Sequence, residues 1–132
     1  MRIFVFEEDA SLLNLLTLYL EIKGHQVRGF TDQYSCPLYQ SAASVCPADK
    51  PCADAVIVNT RCPDQENIQI LIDQERKGCK LPGLNKAVIS ANISEEQDQM
   101  ICSLGFYVIR KPFRLTTISS WLTECAKRLN KL

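Results

Sequence analysis

The stretch Asp54-Ala-Val-Ile-Val-Asn59-Thr-Arg-Cys-Pro63 decides how the chain is read. Its apolar run, residues 55–58, is rich in β-branched side chains and too short for a helix core. Such a run forms a strand covered on both faces, which is the pattern of a parallel sheet. The run ends on a small polar amide, Asn59, and the chain then turns at Pro63. In an open parallel sheet ligands gather at the carboxyl ends of the strands. Asn59 therefore stands where chemistry is expected, although an amide is a poor nucleophile.

Working outward, four further runs share this character: Arg2-Ile-Phe-Val-Phe6, Gln26-Val-Arg-Gly-Phe30, Lys86-Ala-Val-Ile-Ser90, and residues 106–109. Helical patterns lie between them. After the first run, Asp9 or Ser11 can cap a helix whose broad apolar face is predicted from Leu12, Leu15, Leu16, Tyr19, Leu20 and Ile22. Gly24 closes that helix. A second helix is expected within 32–44, with Pro37 near its start, followed by a loop around Pro47 and Pro51. Ile68, Leu71 and Ile72 mark the next helix, which ends near Gly78. Ser94-Glu-Glu-Gln97 is a capping box that opens another. The last helix carries Leu115, Ile118, Leu122, Cys125 and Leu129 on one face, with Trp121 beside it. Strand and helix alternate five times. The expected architecture is a single α/β domain over 1–132, a five-stranded parallel sheet with helices on both faces.

The composition agrees. The chain has 132 residues, 46% of them hydrophobic and 23% charged, and fifteen basic residues balance fifteen acidic ones. With no basic excess, neither nucleic acid nor an acidic membrane surface is expected as a partner. The longest apolar-rich stretch, 12–22, is short and broken by Asn14, Thr17 and Glu21, so no membrane span is expected. No signal peptide is read at the amino terminus, which predicts a cytoplasmic protein. Seven cysteines, an odd number, are then read mostly as free thiols. Cys102 and Cys125 fall on helices and are expected in or near the core. Cys46, Cys52 and Cys79 fall in segments leading into the third and fourth strands. They should share the amino-terminal rim of the sheet, where a Cys46–Cys52 disulfide or a thiolate metal site with Cys79 is conceivable on spacing alone. His25 has no second histidine to share a metal and is read as a surface residue.

The opposite rim gathers Glu7, Glu8, Asn59, Ser90 and Lys111. Adjacent carboxylates suit a hard divalent cation such as Mg²⁺. A hydroxyl and an ammonium suit the oxygens of a phosphoryl group.

On these residues the chain resembles response-regulator receiver domains, the CheY-like family that takes phosphate from histidine kinases. The matching motifs are Glu7-Glu8 after the first strand, Asn59-x-x-x-Pro63 after the third, Ser90-Ala91 after the fourth and Lys111-Pro112-Phe113 after the fifth. The resemblance spans nearly the whole chain. It implies a (βα)5 flavodoxin-like three-layer sandwich and a cis Lys111-Pro112 bond. It also implies a role in two-component phosphorelay signalling.

Four positions depart from the family pattern. Asn59 stands where the phosphoacceptor aspartate is expected. Glu7 and Glu8 are each a methylene longer than the usual aspartates, so Mg²⁺ binding is expected to be weak at best. Val108 stands at the position of the family's switch aromatic.

The resulting expectation is a degenerate receiver, not an enzyme and requiring no cofactor, that binds a signalling partner (a histidine kinase or an output protein) without phosphorylation. Lys111 is expected to pair with Glu7 or Glu8. By analogy the partner surface, which could also serve a homodimer, is the face of the helix after the fourth strand, the fifth strand and the last helix. It includes Phe106, Tyr107, Val108 and Trp121. Two other readings stay open: a phosphoacceptor using Thr60 or a deamidated Asn59, and a redox or metal sensor on the cysteine-bearing rim.

Overall fold

A computed structural model describes residues 1–31, 53–59, 68–112 and 114–130. The expected helix within 32–44, the Pro63 turn, Thr60 and Cys36, Cys46, Cys52 and Cys62 lie outside the described residues.

Five strands form one sheet: β1 (Arg2–Glu7), β2 (Gln26–Phe30), β3 (Ala55–Asn59), β4 (Lys86–Ser90) and β5 (Tyr107–Arg110). All pairings are parallel, in the order β2-β1-β3-β4-β5. This is the flavodoxin-like doubly wound order. The described helices are α1 (Ala10–Ile22), α2 (Gln69–Arg76), α3 (Glu95–Ser103) and α4 (Leu115–Arg128).

Because side chains alternate across a strand, the apolar runs feed two cores. Ile3, Val5, Ile57 and Ile89 face α1 and α4, where they meet Leu16, Leu20, Ile118 and Leu122. Phe6, Val56, Val58 and Val88 face α2 and α3, where they meet Leu71, Ile72 and Ile101.

The helix boundaries follow local chemistry. Asp9 caps α1, its carboxylate accepting from the Ser11 and Leu12 amides at 2.8 and 3.2 Å. The Ser94–Gln97 capping box closes in both directions at 3.1 and 3.0 Å. Gly24 ends α1 at φ +92°, a left-handed conformation that an L side chain adopts only with strain.

The predicted apolar face of α1 is corrected. The helix is apolar almost all the way round, and the stripe that enters the core is Leu13, Leu16 and Leu20. Leu12, Leu15, Leu18 and Ile22 are exposed, Leu15 by 63% and Ile22 by 73%. Among the described residues, no helix is long and apolar enough to cross a membrane.

The amino-terminal rim holds a dense polar lattice. Asp54 is buried, accepts from the Arg2 amide at 2.7 Å and lies 3.5 Å from the Arg2 guanidinium. Asn85, fully buried, donates to the Asp54 and Cys125 carbonyls and accepts from Arg128 at 2.8 Å. Lys86, also fully buried, pairs with Glu75 of α2 at 2.8 Å. Asp54, Asn85 and Lys86 thus each have a partner, as low-dielectric burial requires.

Candidate functional site

The parallel register brings the carboxyl ends of the strands level. Glu7 lies beside Asn59 across β1 and β3, and Asn59 lies beside Ile89 across β3 and β4. Ser90 ends β4, and its carbonyl accepts from the Lys111 amide at 2.9 Å just beyond β5. The Lys111-Pro112 peptide is cis, as the resemblance implies. The five rim residues named from the sequence therefore share one edge of the sheet.

Their individual states are unequal. Glu7 is buried, and its carboxylate accepts from the Asp9 amide at 2.9 Å. Glu8 is exposed. The Ser90 hydroxyl is buried and accepts from the Asn92 amide at 3.3 Å.

Asn59 is only 8% exposed, and its Oδ1 is buried with no hydrogen-bond partner. An unsatisfied buried carbonyl costs roughly 1–3 kcal/mol, so this atom stands ready to accept. Lys111 is half-buried and makes no ion pair with any described residue. The expected Lys111 pair with Glu7 or Glu8 is thus not formed, because the Glu7 carboxylate turns to the Asp9 amide. Among the described residues, no three of His, Cys, Asp and Glu come together as a cation site. Among the described residues, Glu7, Glu8 and Asn59 bring side-chain oxygens to this rim, with those of Glu7 and Asn59 buried.

The residues named for partner binding divide. Phe106 and Trp121 are 1% and 3% exposed, so neither can contact a partner directly. Trp121 is held inside because its indole N–H donates to the Leu84 carbonyl at 3.0 Å and its ring stacks on Tyr107 at 6.0 Å. Tyr107 is exposed and Val108 is half-buried, and these two present β5 to solvent. They border a shallow depression shared with Leu84, Asp98, Cys102 and Arg110.

Of the rim cysteines, Cys79 is half-buried and free, and it precedes β4 on the amino-terminal side. Cys125 is buried as expected, and burial pushes its thiol up to about 12. Cys102 is exposed, not in the core. Its thiol donates to Asp98 at 3.2 Å, and that bond raises its pKa. Asp98 is itself held below the usual carboxylate range, first by the hydrogen bond from Arg110 and then by that from Cys102. Both shifts keep the proton on sulfur, whereas thiol chemistry needs the thiolate. In native protein treated with iodoacetamide at mildly alkaline pH, Cys125 is expected to stay unmodified and Cys102 to react slowly. Asp98→Asn should speed Cys102 alkylation several-fold, and an unchanged rate would contradict the hydrogen bond.

A five-stranded parallel sheet in this order, with an acidic strand end, a polar β3 tip, a hydroxyl on β4 and a lysine before a cis proline, defines the receiver-domain fold. No family model and no curated protein matches the chain. Solved structures do. A response regulator receiver domain protein from Clostridium thermocellum is 15% identical, with a TM-score of 0.76 over 98% of this chain and 96% of that one. The receiver domain of the Francisella response regulator 1452 is 16% identical, with a TM-score of 0.75 over 97% and 98%. The BeF3-activated N-terminal receiver domain of Klebsiella pneumoniae RstA is 14% identical, with a TM-score of 0.72 over 94% and 97%.

Proposed function

We propose that this chain is a receiver-type signalling module that binds its protein partner without passing through an aspartyl phosphate. The observation that carries this reading is Asn59, a neutral amide at the tip of β3, buried and with an unpartnered Oδ1. A carboxylate can attack phosphorus, and an amide cannot usefully do so. The partner would be a histidine kinase or an output protein of a two-component system, and the chain itself would not act as an enzyme. On the β5 face the contact would run through Tyr107 and Val108, the same face serving if two copies pair.

Mg²⁺ fits only in part. Glu7, Glu8 and Asn59 Oδ1 are hard oxygen donors of the right kind, but one carboxylate fewer than a triad of acids lowers the charge that holds the ion. A cation held by these residues would offset charge on phosphoryl oxygens, and so would the Lys111 ammonium.

Incubation with acetyl phosphate and Mg²⁺, followed by intact-mass measurement, should give no adduct. Beryllofluoride with Mg²⁺ should leave the Ser90 and Lys111 amide resonances in place. A stable phosphoryl adduct, or tight beryllofluoride binding with shifts at those two residues, would overturn the reading.

A further inference from the structure

Arg110 ends β5, an edge strand of the sheet, and its side chain crosses to the chain that leaves β4. One guanidinium nitrogen donates to the Ile93 carbonyl at 2.9 Å, and a second meets the Asp98 carboxylate at 2.7 Å. Ile93 stands just before the Ser94 cap of α3, and Asp98 stands just after the Gln97 that closes the capping box. One side chain of β5 therefore holds the start of α3 from both sides of its cap. The next residue holds the end of β4, because the Lys111 amide donates to the Ser90 carbonyl.

The loop between Ser90 and Ser94 has little else to fix it. Ala91 and Asn92 are exposed. Ile93 is buried but belongs to neither of the two apolar cores. The Asn92 amide bonds to the Ser90 hydroxyl at 3.3 Å, a contact between near neighbours. Among the described residues, the hydrogen bond from Arg110 is the one that joins residues 91–93 to another strand. A loop with few apolar contacts opens more readily than the sheet it leaves. The tether is also reachable. Half of the Arg110 side chain is exposed, and it lines the depression on the β5 face with Leu84, Tyr107 and Val108.

We infer that Arg110 is a latch between the β5 face and the rim at Ser90. Seated on Ile93 and Asp98, it holds the loop against β5 and keeps the Asn92 amide on the Ser90 hydroxyl. Withdrawn toward the depression, it frees residues 91–93 and releases that hydroxyl. An event on the β5 face then reaches Ser90 through Arg110, Ile93 and Asn92, with no group added at Asn59. The inference rests on the proposed function only in taking β5 as the partner's side. The latch itself is tested without a partner and without phosphate, so its failure and the failure of that reading are distinguishable.

Amide hydrogen exchange and chemical shifts of the full ¹⁵N-labelled chain provide the test, with Arg110→Met, Arg110→Lys and Asp98→Asn beside the parent. Arg110→Met removes both bonds and should speed exchange at Asn92 and Gln97 roughly ten-fold, the effect of one hydrogen bond from a charged donor. The Ser90 and Asn92 resonances should shift with it, while β1 and β3 exchange as in the parent. Asp98→Asn leaves the bond to Ile93 in place, so Asn92 should exchange nearly as in the parent. Arg110→Lys keeps the charge and reaches one acceptor at a time, so its effect on Asn92 should fall between those two.

Exchange at Asn92 that is the same in Arg110→Met as in the parent would overturn the inference. So would an equal rise across β1 and β3, because that reports a general loosening and not a latch. An Asp98→Asn effect on Asn92 as large as that of Arg110→Met would place the hold in the ion pair and overturn the route through Ile93.

Discussion

Glu75→Ala is expected to lower the unfolding free energy by about 3 kcal/mol, the low end for breaking a buried ion pair from one side. Lys86 is fully buried in β4, and its ammonium meets Glu75 at 2.8 Å, while the Glu75 side chain remains 42% exposed. Removing the carboxylate strands a charge under α2. The partial exposure of Glu75 lets water reach the site, which limits the loss.

Lys86→Met should behave differently. It keeps the length of the stem and removes the charge that needed pairing, so its cost should stay within about 1 kcal/mol. The double variant Glu75→Ala with Lys86→Met should recover most of what Glu75→Ala alone loses, which is the coupling expected of contacting residues. Urea unfolding of the four proteins measures this cycle. If Lys86→Met proved as damaging as Glu75→Ala, the charge would not be the source of the cost.

The second large effect is functional. If the proposed reading holds, Asn59→Asp is expected to let the chain take a phosphoryl group from acetyl phosphate that the parent does not take. The substitution supplies a carboxylate nucleophile where Ser90 and Lys111 already share the rim. It also adds a third carboxylate beside Glu7 and Glu8, so Mg²⁺ affinity should rise by roughly ten-fold or more. Intact mass and a Mg²⁺ titration followed by amide shifts read the two effects separately. Tighter Mg²⁺ without an adduct would mean that Asn59 is not what disables transfer, and the hold of the Asp9 amide on Glu7 would become the suspect.

The parts of the fold that were legible in the sequence share a cause. Ile57, Val58, Val88 and Ile89 stand in short uninterrupted apolar runs, and only a doubly covered parallel strand accommodates such runs. Ser94 with Gln97, and Asp9, signal caps within three residues of themselves. What was illegible depends on packing across the chain. In α1 nearly every face is apolar, so periodicity could not tell the buried stripe at Leu13 from the exposed one at Leu12. Phe106 and Trp121 looked like surface aromatics because the Leu84 carbonyl that holds Trp121 lies far away in the chain. Lys86 was legible only as the first residue of a strand, since nothing local says that Glu75 will cover it.

The site was legible as a set of positions, because strand ends follow from the strands. The states of its members were not. Whether Glu7 turns toward Asp9 or toward Lys111 is decided by the loop geometry after β1, which leaves no mark on composition or spacing.

The lattice built by Arg2, Asp54, Asn85 and Arg128 lies at the opposite edge of the sheet from Asn59 and Lys111. It fastens α4 to the residues just before β3 and β4, and β1 to the residue just before β3, through bonds in which neither Asn59 nor Lys111 takes part. Heritable change at Asn59 or Lys111 leaves those anchors in place. A scaffold anchored in this way keeps its anchors whether an acid or an amide stands at the tip of β3.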